Sequence, residues 1–548
     1  MKKFLAVILA CFTVIAATAA VPEKVTPTKN VIVMITDGTS TGLLSLSRWY
    51  KYSKTRSLAE MSLNIDPYVT ALVSPMHTNA PIVGSAGAMT TYMTGQLATA
   101  ANIAVYPKED RANDMVVIDQ SMENNPLVTV LEAMKVYQDK ATGLVATVEF
   151  THATPAACAA HSVSRYSADQ MKYQMASAGL DVVFSAGTSR IDARMEEILA
   201  HNGVSLYKDD IKGFRAHNEG KIWSLWGSKM MAFDLDRDPA QEPSLKEMSE
   251  KAIELLSQNK NGFFLMIEGS KVDYAAHAND PVAAITEFIA FDDAVGAVLD
   301  FAKKDGNTTV VILPDHGTAG INFGKRSYSG YHSKPVDSVF VKLGNVQATY
   351  AKMADLISKA KPTEIRRLFT ANTGFELTDE EFMRIVSLMT VKEGDYMQVA
   401  NTRNLQSEIA RIYQDRGNVG FISGGHTGED LFLSVYHPKN QVPTGVIWNY
   451  ELNDYLCKAA GLKRSLADYT AEQFVCQDEL FLGCDCVVDS STEVPALYVK
   501  RGRSELKLEA QSNIVQVGKK TIELPLPVIY IQETEKFYAP ISLKKYVK

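Results

Sequence analysis

The feature that most constrains this chain is a recurring unit, in which a run of consecutive apolar residues stops abruptly at a polar cluster. Val31-Ile32-Val33-Met34-Ile35 runs into Thr36-Asp37-Gly38, Gly143 to Val148 into Glu149 to Thr154, Phe263 to Ile267 into Glu268-Gly269, and Thr308 to Leu313 into Pro314-Asp315-His316-Gly317. Apolar runs without alternation predict strands buried on both faces. The expected fold is therefore α/β, with a mainly parallel central sheet flanked by helices. Helices are expected between the strands, over 127–137 and 284–303. In open α/β sheets ligands bind beyond the carboxyl ends of the strands, so Asp37, Glu268, Asp315 and His316 are expected at one rim.

The N-terminus carries a different signal. Lys2 and Lys3 precede an apolar stretch from Phe4 to Ala20 that closes on small residues, the pattern of a cleaved secretory leader over 1–20. Ile8-Leu9-Ala10-Cys11 is a loose match to a lipoprotein box, but the apolar stretch continues well past Cys11. Export to the periplasm or the medium is expected, with no membrane-spanning segment after leader removal. The formal charge of −7 excludes a broad nucleic-acid-binding surface.

With only 10 histidines in the chain, their placement is informative. Asp273 and His277 are spaced to share one face of a helix that follows Glu268, and His426 lies in Gly424-Gly425-His426-Thr427-Gly428 before the strand Leu431 to Tyr436. Histidines and carboxylates gathered at strand ends point to divalent metals, with mixed N/O ligation suiting zinc and an all-oxygen subset magnesium. Ser85, in Val83-Gly84-Ser85-Ala86-Gly87, stands at the expected start of a helix ending near Gly95. There the free N–H groups favour an anion. The competing reading of Ser85 is a simple N-cap. The segment is not a G-x-S-x-G elbow, so no His-Asp partnership is implied.

In type, order and local spacing, Asp37, Ser85, His152-Ala153-Thr154, Arg165, Glu268, Asp273, His277, Asp315-His316 and His426 resemble the alkaline phosphatase family over residues 28–463. The resemblance implies a phosphate monoester hydrolase with two zinc ions and one magnesium ion. Asp273, His277 and His426 would hold the first zinc; Asp37, Asp315 and His316 would hold the second. Asp37, Thr154 and Glu268 would hold the magnesium, Ser85 would be the nucleophile of a phosphoserine intermediate, and Arg165 would clamp the phosphate of small phosphomonoester substrates. Two departures stand out. The familiar bacterial archetype has an aspartate just before the nucleophile, where this chain has Gly84, which leaves the support of Arg165 in question. His152 and Tyr274 fall at positions that vary within the family and tune the third metal.

Residues 318–423 are an insertion that the sheet does not need, expected to shape access to the site or to make homodimer contacts. Thr378-Asp379-Glu380-Glu381 is a capping box opening a helix to Met389, and Asn404 to Tyr413 reads as another. The expected catalytic unit spans 21–463. Residues 464–548 are expected to form a β-rich, cysteine-containing module for interaction or oligomerisation. Cys457, Cys476, Cys484 and Cys486 are expected to form two disulfides, a zinc site being the alternative. Two rival functions remain. A sulfatase of the same superfamily would need a Cys/Ser-x-Pro-x-Arg motif that is absent around Ser85, and a phosphodiesterase typically lacks the magnesium triad. A non-enzymatic phosphate or glycan binder would not need the full ligand set and nucleophile.

Overall fold

The computed structural model describes residues 21–325, 329–338, 340–389 and 396–547. The expected leader and Cys11 lie outside the described residues. In chain order the first eight strands are β1 (Asn30–Thr36), β2 (Val69–Ser74), β3 (Ala141–Glu149), β4 (Val182–Ala186), β5 (Val204–Lys208), β6 (Lys221–Trp226), β7 (Phe263–Gly269) and β8 (Thr308–Leu313). Four two-residue strands follow: β9 (Gly317–Thr318), β10 (Asn322–Phe323), β11 (Val419–Gly420) and β12 (His426–Thr427). β13 (Leu431–Tyr436) and β14 (Gly445–Trp448) come next.

The four apolar runs form the middle of a ten-stranded sheet of order β14-β2-β13-β8-β1-β7-β3-β4-β6-β5. Every residue of β1, β7 and β8 is buried. Along β1 the side chains still alternate, but between two cores. Ile32 and Met34 pack with helices Gly42–Thr55, Leu245–Leu256 and Pro281–Asp305. Val31, Val33 and Ile35 pack on the other face with helices Ser85–Thr94, Val130–Gln138 and Glu451–Ala460. Two apolar faces produce an unbroken apolar run, each buried Val or Ile contributing about 1.5–3 kcal/mol.

β13 runs antiparallel to both its neighbours, β8 and β2, while β14 is parallel to β2. It therefore enters the sheet at the rim where the other strands end, and carries the preceding segment with His426 to that rim. The β9–β12 pair, with His426 opposite Thr318, staples this segment to the residues that follow β8.

The insertion is helical, with helices Tyr350–Ser358, Pro362–Thr373, Asp379–Leu388 and Leu405–Gly417. The capping box forms: Thr378 Oγ1 accepts from the Glu381 N–H at 3.2 Å and Glu381 Oε2 from the Thr378 N–H at 2.9 Å. Ile365, Phe369, Ile385 and Tyr413 join the core that covers β1. The Tyr350 N–H donates to Asp280 at 2.8 Å and the Thr349 N–H to Asp236 at 3.0 Å. The insertion thus shares the main core and is no loose appendage.

Beyond the helix Leu466–Gln473 the chain forms a three-stranded sheet and a five-stranded antiparallel meander over Asp485–Glu523, with an apolar core of its own around Leu497, Leu508 and Val515. The two expected disulfides do not form: Cys457, Cys476, Cys484 and Cys486 are free, as is Cys158. Cys457 and Cys476 pack against the core under the main sheet, Cys484 against the meander core, and Cys486 is exposed. Among the described residues no metal-ligand grouping includes these cysteines, and no helix is long and apolar enough to cross a membrane.

Candidate metal centre

Register brings the rim together. Ile35 lies opposite Glu268 on one side and Leu313 on the other, so Asp37, Glu268 and Asp315 emerge within two residues of a common line. Asp37, Glu268 and Asp315 are fully buried. Among the described residues, neither Asp37 oxygen, neither Glu268 oxygen, nor Asp315 Oδ2 has a hydrogen-bond partner, and the same holds for the buried hydroxyl of Thr154.

His316 is central. Its Nε2 stands 3.4 Å from Asp37 Oδ1, 3.4 Å from Asp315 Oδ2 and 3.2 Å from Ser85 Oγ. Asp315 is held by backbone, its Oδ1 accepting from the N–H groups of Gly38 and His316, both at 3.0 Å. The short helix Lys271–His277 supplies Asp273, whose Oδ2 lies 3.3 Å from His277 Nε2 and whose Oδ1 accepts from Thr318 Oγ1 at 2.6 Å. His277 Nδ1 donates to the Gly424 carbonyl at 2.7 Å and His426 Nδ1 to the Val83 carbonyl at 2.8 Å. A carbonyl can only accept, so each ring carries a proton on Nδ1 and turns Nε2 toward Asp273.

Among the described residues, three groupings have ligand atoms within 4.8 Å of one another: Asp37-Asp315-His316, Asp273-His316-His426 and Asp37-His152-Glu268. The first is the set expected for the second zinc. In the second, His316 stands with Asp273 and His426, His277 flanking them through Asp273; in the third, His152 joins the pair expected to bind magnesium with Thr154. The buried ring of Tyr274 is 6.3 Å from that of His152.

Electrostatics favour a cation. Burial, reinforced by Asp315, Asp273 and Glu268, raises the Asp37 carboxyl well above its ordinary range. Burial pushes Asp315 up to about 7 and Glu268 to about 8. Burial, with the positive Arg165 nearby, pushes His152 down to about 3, and burial with His426 lowers His316. Around Asp37, Asp315 and Glu268 the centre thus concentrates oxygen lone pairs while opposing carboxylate charge, whereas at Asp273 burial is outweighed by His277, His426 and His316, which hold its carboxyl well below the ordinary range. A buried divalent cation reverses that balance, so these residues fit one.

Ser85 opens the helix Ser85–Thr94, but its N-cap is Gly84, and the Ser85 hydroxyl faces His316 instead. The N-cap reading is thereby corrected. Arg165 Nη2 lies 3.4 Å from His152 Nε2, so a neutral imidazole stands beside the guanidinium in a chain with Gly84 before the nucleophile. Contacts invisible in the sequence also shape the rim. Thr318 ties Asp273 to the strand after His316, and Ser40 donates to Glu429 at 2.7 Å, as does Thr427. No local pattern marks the Thr318–Asp273 and Ser40–Glu429 contacts, because they join residues far apart in the chain.

Gly38 shows how tightly the rim is built. Its φ is +64°, and a Cβ there would stand 2.3 Å from Asp273 Oδ1 and 2.7 Å from Thr318 Oγ1. Gly38→Ala is expected to combine left-handed strain with displacement of Asp273. We expect a loss of about 2 kcal/mol or more of stability, measured by thermal unfolding, and weaker metal retention. A variant that unfolds and retains metal like the parent would refute this account of the turn.

A profile of the alkaline phosphatase family matches residues 28–200 and 186–462. The chain belongs to the alkaline phosphatase family. It is 32% identical over 443 residues to alkaline phosphatase 4 of Bacillus subtilis, covering 78% of this chain and 88% of that protein. It is 25% identical over 476 residues to the repressible alkaline phosphatase of Saccharomyces cerevisiae, covering 78% of each. The fold is similar to that of a cold-active alkaline phosphatase from a Shewanella species, with a TM-score of 0.68 at 21% identity over 79% of this chain and 99% of that one. The family match ends at residue 462, before the meander.

Proposed function

We propose that this alkaline phosphatase family member hydrolyses phosphate monoesters through a phosphoserine on Ser85. The observation that carries the proposal is the Ser85 hydroxyl at a helix N-terminus, 3.2 Å from His316 in a centre whose buried Asp37 and Glu268 oxygens have no hydrogen-bond partner among the described residues. Asp273, His277 and His426 would hold one zinc ion, and Asp37, Asp315 and His316 a second. Asp37, Glu268 and Thr154 would hold magnesium, with His152 near enough to join them. When bound, these cations supply Lewis-acid stabilisation of the attacking and leaving oxygens and lower the pKa of hydroxyl and water.

Ser85 Oγ attacks phosphorus, the bond to the ester oxygen breaks, and the alcohol leaves. Water then attacks the phosphoserine, the bond to Oγ breaks, and phosphate departs while Ser85 regains its proton. The free N–H groups of the helix Ser85–Thr94 face the phosphoryl oxygens and Arg165 binds two of them through its planar fork. His152 supports Arg165 by accepting from Nη2. Export through the segment 1–20 belongs to the same proposal.

The test compares an aryl phosphate monoester, the corresponding diester and an aryl sulfate. We expect the monoester to be strongly preferred; preference for diester or sulfate overturns the assignment. Arg165→Ala is expected to lower kcat/KM about 10- to 100-fold, the worth of losing charge-assisted bonds to phosphate. Arg165→Lys should recover only part of it, because an ammonium cannot span two oxygens.

A further inference from the structure

The peptide group joining Val83 to Gly84 is held at both ends by imidazoles. His426 Nδ1 donates to its carbonyl at 2.8 Å, and its N–H donates to His77 Nε2 at 3.0 Å. Carbonyl and N–H belong to one rigid plane, so turning either end turns the other. The next residue is Ser85, and the Gly84 carbonyl accepts from the Ala88 N–H at 3.0 Å, starting the nucleophile helix.

His77 is fully buried in the segment between β2 and that helix. Its own N–H donates to the Ala80 carbonyl at 2.9 Å, closing a tight turn. The ring lies flush against the helix: a Cβ on Gly87 would stand 2.3 Å from His77 Cε1 and 2.7 Å from Nδ1. Glycine at that position makes room for the imidazole. His77 Nδ1 has no hydrogen-bond partner among the described residues. A buried imidazole with one unsatisfied nitrogen costs more than an apolar side chain of the same size. What the histidine adds is therefore its bond to Gly84.

We infer that His77 is a positioning residue: by accepting from the Gly84 N–H it orients the Val83–Gly84 peptide, and through it both the Ser85 hydroxyl and the His426 ring. This rests on Ser85 as nucleophile and His426 as metal ligand. No substrate atom touches His77, and its role requires the tautomer protonated on Nδ1 with a lone pair on Nε2.

Two measurements test it on the full-length, metal-loaded protein. In His77→Leu, which keeps bulk but removes the acceptor, we expect kcat for an aryl phosphate to fall about 10- to 100-fold with KM changed far less, and zinc to dissociate faster. His77→Gln, which restores an acceptor of similar reach, should bring kcat back to within about threefold of the parent. A folded His77→Leu protein with parental kcat and zinc retention overturns the inference, as does a His77→Gln protein no better than His77→Leu. The second measurement needs no variant. Selective nitrogen-15 labelling of histidine should show His77 Nε2 unprotonated and coupled across the hydrogen bond to the Gly84 amide; a proton on Nε2 overturns the inference even if His77→Leu fails to fold. Ser85→Ala separates the two levels: if it abolishes turnover while His77→Leu is silent, only the role of His77 is lost.

Discussion

Ser85→Ala is expected to lower kcat by about a thousandfold or more while leaving fold and metal content intact. The size follows from the chemistry: without the hydroxyl, the two-step displacement has no nucleophile, and only slow direct attack by water on the bound ester remains. The structural cost is small. The Ser85 hydroxyl's contact is with His316 Nε2 at 3.2 Å, and Gly84, not Ser85, caps the helix. Deleting one such hydroxyl changes stability by about 1 kcal/mol. The decisive measurement pairs turnover with phosphate labelling: acid-quenched parent protein should carry radiolabel on the peptide containing Ser85, and the variant none. A variant retaining a tenth of parental turnover would place the nucleophile elsewhere.

Removal of the metals is expected to abolish activity and to reverse the pH dependence of stability. In the metal-free chain burial holds Asp315 near 7 and Glu268 near 8, against about 4 in an unfolded chain. Between those values the folded chain binds more protons than the unfolded one. The contribution of these groups to stability is therefore full below about pH 4 and is lost as pH rises through 7 and 8, on the order of several kcal/mol in total. Cations bind the deprotonated groups, so their apparent affinity should rise with pH and binding near pH 7 should release protons. Calorimetric zinc titrations of chelator-stripped protein, in buffers of different ionisation enthalpy, measure that release directly. We expect it to be larger at pH 6.5 than at pH 8.5. Absence of proton release at pH 6.5 would mean that these carboxylates are not the ligands.

The strands at the centre of the sheet were legible because burial on both faces leaves a mark in consecutive residues. Val31 to Ile35 and Phe263 to Ile267 could hardly be anything else, and β1 and β7 extend them by only a residue or two at either end. The outer strands left weaker marks. Lys208 at the end of β5 and Val446 and Trp448 in β14 are exposed, so their residues lack the unbroken apolar pattern. The cysteines were misjudged because spacing along the chain says nothing of which core each thiol faces; Cys457 and Cys484 pack in different ones.

By itself, then, the sequence determined a parallel sheet, its polar rim and the family, since each is written in consecutive residues or in short ordered motifs. The tertiary structure decided what lies between them. It made His316 common to two ligand groupings, put His152 beside both Arg165 and the Asp37–Glu268 pair, and set the Val83–Gly84 peptide between His426 and His77. Such contacts depend on the direction of β13, the register of β1 against β7 and β8, and the turn that brings His77 back to Gly84. The first two are long-range consequences of packing, which no local run of residues encodes.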